Sequence, residues 1–176
     1  MEFLNPEQVL NQLELAEGML AADFGCGVGG WAIPLANKLK DGRVYAVDVQ
    51  EDALSGLRMK ADMAKIKNIK PIKADLEGGL RGPGSLIQNN LLDLVLMTNL
   101  LFQAKNKKTI FQEAKRILRP GGQVLVVDWK SDATVGPLEG RIDPEVIKTM
   151  AKDLGFSFKK EISAGNYHYG LVFIKS

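Results

Sequence analysis

Short β-rich runs alternate with amphipathic helical patterns along this 176-residue chain, and that alternation limits the fold more than any other feature. Met19 to Phe24, Arg43 to Asp48, Ile69 to Ala74, Leu92 to Thr98 and Gln123 to Asp128 read as strands. Helical patterns fall between them: Asn5 to Leu15, about Gly30 to Lys40, a stretch opening at Glu51-Asp52, and about Lys105 to Arg119. Leu92 to Thr98 is almost continuously apolar, as a central strand buried on both faces must be. The last helix is capped by Asp143 with Pro144 in its first turn, carries Val146, Ile147, Met150, Ala151 and Leu154 as its apolar stripe, and ends at Gly155. Phe156 to Ile162 and Tyr167 to Ile174 then form two strands only about four residues apart, too close for a parallel crossover and therefore antiparallel. The fold class is α/β: one doubly wound, mostly parallel sheet with an antiparallel C-terminal hairpin strand.

Composition narrows the class further. With 45% hydrophobic and 25% charged residues the chain can bury roughly 70% of its unfolded surface. The 23 Lys and Arg against 21 Asp and Glu leave a net charge of +2, far from the basic excess of a nucleic-acid domain. The stretch Arg58, Lys60, Lys65, Lys67, Lys70 and Lys73 is spread around a helix and into a strand, which describes a solvated face. A single cysteine, Cys26, permits no internal disulfide and suits a reducing compartment. Met1 to Leu10 lacks the basic start and apolar run of a secretory peptide, and Leu91 to Met97 is short and broken by Asp93, so no membrane span is expected. The expectation is one cytoplasmic domain over residues 1–176, with residues 1–17 and the loop Ser131 to Arg141 as the only material for a lid. No His, Cys or acid cluster has metal-ligand spacing.

The chemistry concentrates where the first strand ends. Asp23-Phe24-Gly25-Cys26-Gly27-Val28-Gly29-Gly30 contains GxGxxG between a strand and a helix, where glycines let a ligand approach the backbone. Asp48 closes the second strand, the place from which a carboxylate grips ribose hydroxyls. Asp23, two residues before the first glycine, favours a cationic ligand over a pyrophosphate.

These residues resemble the class I SAM-dependent methyltransferases, whose first motif is an acid followed by GxGxG. The likeness extends over Val44 to Asp48, Ala74-Asp75-Leu76, Leu91 to Leu96 and Arg116 to Val127. Glu113 to Gly122 is similar to the small-molecule methyltransferases related to the quinone-biosynthesis C-methylases. The resemblance implies a Rossmann-like, seven-stranded sheet and S-adenosyl-L-methionine (SAM) as cofactor, with S-adenosyl-L-homocysteine (SAH) as product. It implies that Asp23, Gly25 and Gly27 contact the methionine part, in a turn completed by Cys26 and Gly29. Asp48 would hold the ribose and Asp75 the adenine amino group, with Leu76 and Val49 on the two faces of the ring. Thr98 and Asn99 would line the channel toward the acceptor.

In open α/β sheets ligands bind beyond the carboxyl ends of the strands, which selects Trp129, Lys130, Arg141, Tyr167 and His168 for the acceptor side. His168, the only histidine, is the nominee for a base, with Tyr167 next to it on the opposite face of the strand. Trp129 offers a stacking surface; Lys130 and Arg141 offer charge for an anionic group, or plain solvated surface. The reading is methyl transfer to a small-molecule acceptor. Its alternatives are an RNA methyltransferase, a SAM-binding protein without catalysis, and an NAD-dependent oxidoreductase. Gly29-Gly30-Trp31 resembles the first motif of RNA ribose methylases, but Thr98-Asn99 stands where their Lys-Asp-Lys-Glu tetrad has its aspartate. Leu100-Leu101-Phe102 after Asn99 departs from the Asn-Pro-Pro-Tyr of amino-group methylases. The acceptor and the oligomeric state are not legible.

Overall fold

The computed structural model describes residues 3–80 and 86–176. Its strands are β1 (Leu20–Phe24), β2 (Arg43–Asp48), β3 (Ile69–Lys73), β4 (Leu92–Thr98), β5 (Leu118–Trp129), β6 (Phe156–Ser163) and β7 (His168–Lys175). They form one sheet in the order β3-β2-β1-β4-β5-β7-β6. β1 pairs in parallel with β2 and β4, β2 with β3 and β4 with β5, whereas β7 runs antiparallel to both β5 and β6. The strand order reverses between β1 and β4, so connections leave in opposite directions and open a crevice at their carboxyl ends.

Helices cover both faces. α1 (Pro6–Leu10), α2 (Ala32–Lys38) and α3 (Glu51–Met63) pack Leu10, Leu35, Leu54 and Leu57 against Ala21, Ala46, Leu96 and Leu125. α4 (Lys107–Ile117) and α5 (Pro144–Asp153) pack Ile110, Phe111, Ile147 and Ala151 against Val95, Met97, Val126 and Phe173. Phe111 meets Phe156 and Phe173 edge to face, at centroid distances of 5.9 and 6.3 Å. The alternation in the sequence thus becomes a three-layer, doubly wound domain. Among the described residues no helix is long and apolar enough to cross a membrane.

Three local differences from the sequence expectation have physical causes. The opening helix stops at Leu10 instead of Leu15. Asn5 caps it as expected, accepting from the Glu7 and Gln8 amides, but Gln12 then pairs with the backbone of β6. Its Nε2 donates to the Ser163 carbonyl at 2.8 Å and its Oε1 accepts from the Ser163 amide at 2.9 Å, which ties the segment to the sheet edge. β5 starts at Leu118, ahead of Pro120-Gly121-Gly122, because Leu118 pairs with Leu92 before those residues bulge out and pairing resumes at Leu94 with Gln123. Val146, expected in the stripe of α5, is 57% exposed, since the face turns about Ile147 and Ala151. Of the loop expected over Glu77 to Gly84, positions 81–84 lie outside the described residues.

Candidate functional site

β1 runs straight into a turn in which Gly25, Gly27 and Gly29 all have positive φ, at 71°, 52° and 91°. A Cβ on Gly27 would stand in open space, so its side of the turn is free for a ligand. A Cβ on Gly29 would fall 2.4 Å from Leu57 Cδ1, so that glycine serves the close approach of α3. Two anchors hold the turn. The Val47 carbonyl accepts from the Gly25 and Cys26 amides at 2.8 and 3.0 Å. The Asp48 carboxylate accepts from the Gly27 amide through Oδ2 at 2.8 Å and from the Gln50 amide through Oδ1 at 2.9 Å. Asp48 therefore fixes the turn while each of its oxygens keeps a further lone pair.

Over this turn opens a cleft of about 370 Å³. It brings together six of the residues expected from sequence: Gly25, Gly27, Asp48, Val49, Asp75 and Leu76. Val49 stands 58% exposed and Leu76 is buried. Asp75 Oδ1 accepts from the Glu77 amide at 2.9 Å, which braces the loop after β3 and leaves Oδ2 with no donor among the described residues. Gln50, Leu100, Gln103 and Ile110 also line the cleft and were missed. The signal for Leu100 and Gln103 was their place just past a strand beside the reversal point; Ile110 was read only as core.

Asp23, Cys26, Thr98 and Asn99 do not line the cleft. Asp23 is wholly buried, and neither carboxyl oxygen has a hydrogen-bond partner among the described residues. Burial pushes its carboxyl up to about 8; the nearby Ala32 backbone amide pulls it partly back, and Asp48 raises it again. Burial, with Asp23 and Asp48 adding to it, likewise pushes the Cys26 thiol well above its ordinary range. Thr98 is buried at the end of β4. Asn99 adopts φ of 49°, and its Oδ1 is buried without a partner.

The acceptor-side residues gather at the same edge of the sheet, around β5 and the hairpin. Trp129 and His168 are register partners whose ring centroids lie 4.0 Å apart. His168 and Lys130 line a cavity of about 500 Å³ together with Ser131, Pro144, Ile162 and Tyr169. Burial, then the nearby Lys130 charge, pushes the His168 imidazole down to about 4. Tyr167 leans on Phe3 at 6.1 Å. Its neighbour Tyr169, missed in the sequence, has a buried hydroxyl without a partner.

Arg141 turns inward to its own loop. Its Nε donates to Pro137 at 2.6 Å, its Nη1 to Ala133 at 2.6 Å and Ser131 at 3.3 Å, and its Nη2 to the Val135 carbonyl at 2.9 Å. The guanidinium expected for an anionic acceptor is thus engaged by four backbone carbonyls. Arg141→Met should lower stability by about 2 kcal/mol through lost charge-assisted bonds. It should also expose residues 131–140 to limited proteolysis; a loop equally resistant in the variant would refute the clamp.

Comparison with known proteins agrees with this geometry. A family model described as a methyltransferase domain matches residues 21–122. A demethylmenaquinone methyltransferase of Bacillus mycoides is 23% identical over 137 residues, covering 77% of this chain and 55% of that protein. One of a Geobacillus species is 24% identical over 131 residues, covering 74% and 53%. The chain spans about half the length of the curated relatives it matches. Among solved structures, a SAM-dependent methyltransferase from Aquifex aeolicus superposes with a TM-score of 0.88 at 25% identity, covering 99% of this chain and 91% of that one. A type 11 methyltransferase from Sulfolobus solfataricus, so described provisionally, gives 0.79 at 26% identity, covering 98% and 93%. With its first strand, glycine turn, cleft and central strand all inside the matched stretch, the chain belongs to the methyltransferase domain family.

Proposed function

We propose that the cleft binds SAM and that the protein transfers its methyl group to a small-molecule acceptor. The observation that carries this reading is the buried, unpartnered carboxyl of Asp23 beneath the glycine turn. A pyrophosphate gains nothing from a carboxyl there, whereas an ammonium and a sulfonium gain a compensating charge behind the turn. The other residues suit the same cofactor. Asp48 holds the turn and offers its remaining lone pairs to the ribose hydroxyls. Val49 and Leu76 flank the adenine, and Asp75 accepts from its amino group through Oδ2. Gly25 and Gly27 admit the methionine part, with Cys26 and Gly29 shaping the turn, while Thr98 and Asn99, at the end of β4, would stand toward the acceptor. When bound, SAM supplies an electrophilic methyl carbon on a sulfonium.

At the acceptor side, Lys130 and His168 line the cavity toward a small molecule, Trp129 backs His168, Tyr167 rests on Phe3 beside them, and Arg141 holds its own loop in place. His168, held near 4, is neutral at physiological pH and acts as a hydrogen-bonding group in this reading, with little strength as a base. The acceptor therefore brings its own lone pair, and proximity and alignment supply the acceleration. The single, buried Cys26 suits a cytoplasmic setting.

Calorimetric titration with SAM, SAH and NADH tests the reading. SAM and SAH are expected to bind with one site each and NADH to give no heat. NADH binding alone would overturn it.

A further inference from the structure

Asp23 sits in β1 between its register partners Ala46 of β2 and Leu96 of β4, with no exposed surface. Among the described residues the titratable groups that act on it are Asp48 from β2 and Cys26 from the turn, and the Ala32 amide of α2 acts on it as well. Among the described residues no lysine or arginine pairs with it. A bare carboxylate so placed is costly, and the remedy open to it is to hold a proton. The ligands proposed for the cleft differ in charge. At neutral pH SAM carries a sulfonium, an ammonium and a carboxylate, for a net charge of +1, whereas SAH lacks the sulfonium and is neutral.

We propose that Asp23 is the residue that distinguishes SAM from SAH: it is a carboxylic acid in the free protein, ionises as SAM binds, and regains a proton once the sulfonium has become a thioether. This rests on the SAM reading above. The balance is simple. On binding, the Asp23 proton passes to solvent, and the carboxylate, buried behind the turn whose Gly25 and Gly27 line the cleft, balances the net positive charge of the ligand through its field. In methyl transfer the carbon–sulfur bond breaks with its electron pair left on sulfur, and the acceptor lone pair forms the new bond. Asp23 then takes a proton back from solvent, and the site that favoured the cation no longer favours its product. The elevated titration of Asp23, about 8, agrees with a proton held at physiological pH. Asp48, whose oxygens accept two backbone amides, is the fixed charge beside it.

The test is calorimetry of SAM and SAH binding at pH 7 in two buffers of different ionisation enthalpy, on the wild type and on Asp23→Asn. Wild type is expected to release close to one proton per SAM bound and none per SAH. Its SAM affinity should rise by about tenfold per pH unit between pH 6 and 8 and then level off. Asp23→Asn should lose both the release and the slope, and its preference for SAM over SAH should shrink. The amino group of the ligand titrates alike against both proteins, so the difference between them isolates Asp23. SAM binding without proton release by the wild type would overturn the inference while leaving the SAM reading intact. Failure of both ligands to bind would overturn that reading and this inference with it. If the variant does not fold, the wild-type contrast between SAM and SAH decides alone.

Discussion

Asp48→Ala should weaken SAM binding by about 2–3 kcal/mol, a loss of thirtyfold to more than a hundredfold in affinity. Two effects combine. The ribose loses a charged acceptor, and the glycine turn loses the bond from the Gly27 amide to Oδ2 that holds it in place. The amide of Gln50 loses its partner as well. Asp48→Asn should recover little, because the side-chain NH₂ would face one backbone N–H where an oxygen is required. Calorimetry gives the affinity and a thermal melt gives the stability. A variant with lower melting temperature and unchanged dissociation constant would refute the ribose assignment, leaving Asp48 a staple of the turn.

Asp23→Asn should have the opposite effect on the empty protein, stabilising it by about 2–3 kcal/mol at pH 8. The sign follows from proton binding. The carboxyl titrates near 3.8 when free and near 8 when folded, so between those values the folded state holds one proton more than the unfolded state. Wild-type stability therefore falls as pH rises from about 4 to 8 and levels off above. Below about 4 the acid is protonated in both states and the term vanishes. Asparagine mimics the protonated acid at every pH, so the gain should be absent near pH 4 and largest above pH 8. We expect less than the full shift implies, because the new amide is buried without partners too. Denaturant unfolding at pH 4.5 and 8 checks the trend; an equal effect at both would refute it.

Much of this was legible in the chain. The limits of β2 and β4 came directly from their β-rich, bounded runs, and the hairpin direction followed from the short separation of β6 and β7. Helix ends were legible where a side chain does the capping, at Asn5 and Asp143. They were not where tertiary pairing decides: Gln12 ends its segment by bonding to Ser163, about 150 positions away, which no local pattern reveals. The cradle was legible because its glycines and acids are tied to strand ends. Ile110 was not, because it belongs to α4 and reaches the cleft only once that helix packs on the sheet; Leu100 and Gln103 had only their place just past β4 to mark them. His168 was singled out by being the only histidine; its tilted ring contact with Trp129 and its burial depend on strands that meet only in three dimensions.

The strand order has a consequence for how such a chain emerges from a ribosome. β7, made after both of its neighbours, lies between β5 and β6, and β6 has no other strand partner among the described residues. Residues 156–163 are thus synthesised before anything exists for them to pair with, and β5 waits with one edge open. The parallel half of the sheet can assemble as it is translated, while the outer half closes only when residues 168–175 insert between two waiting edges. A chain cut short before that segment would lose the pairing of three strands at once and display two unpaired edges of the kind that invite association.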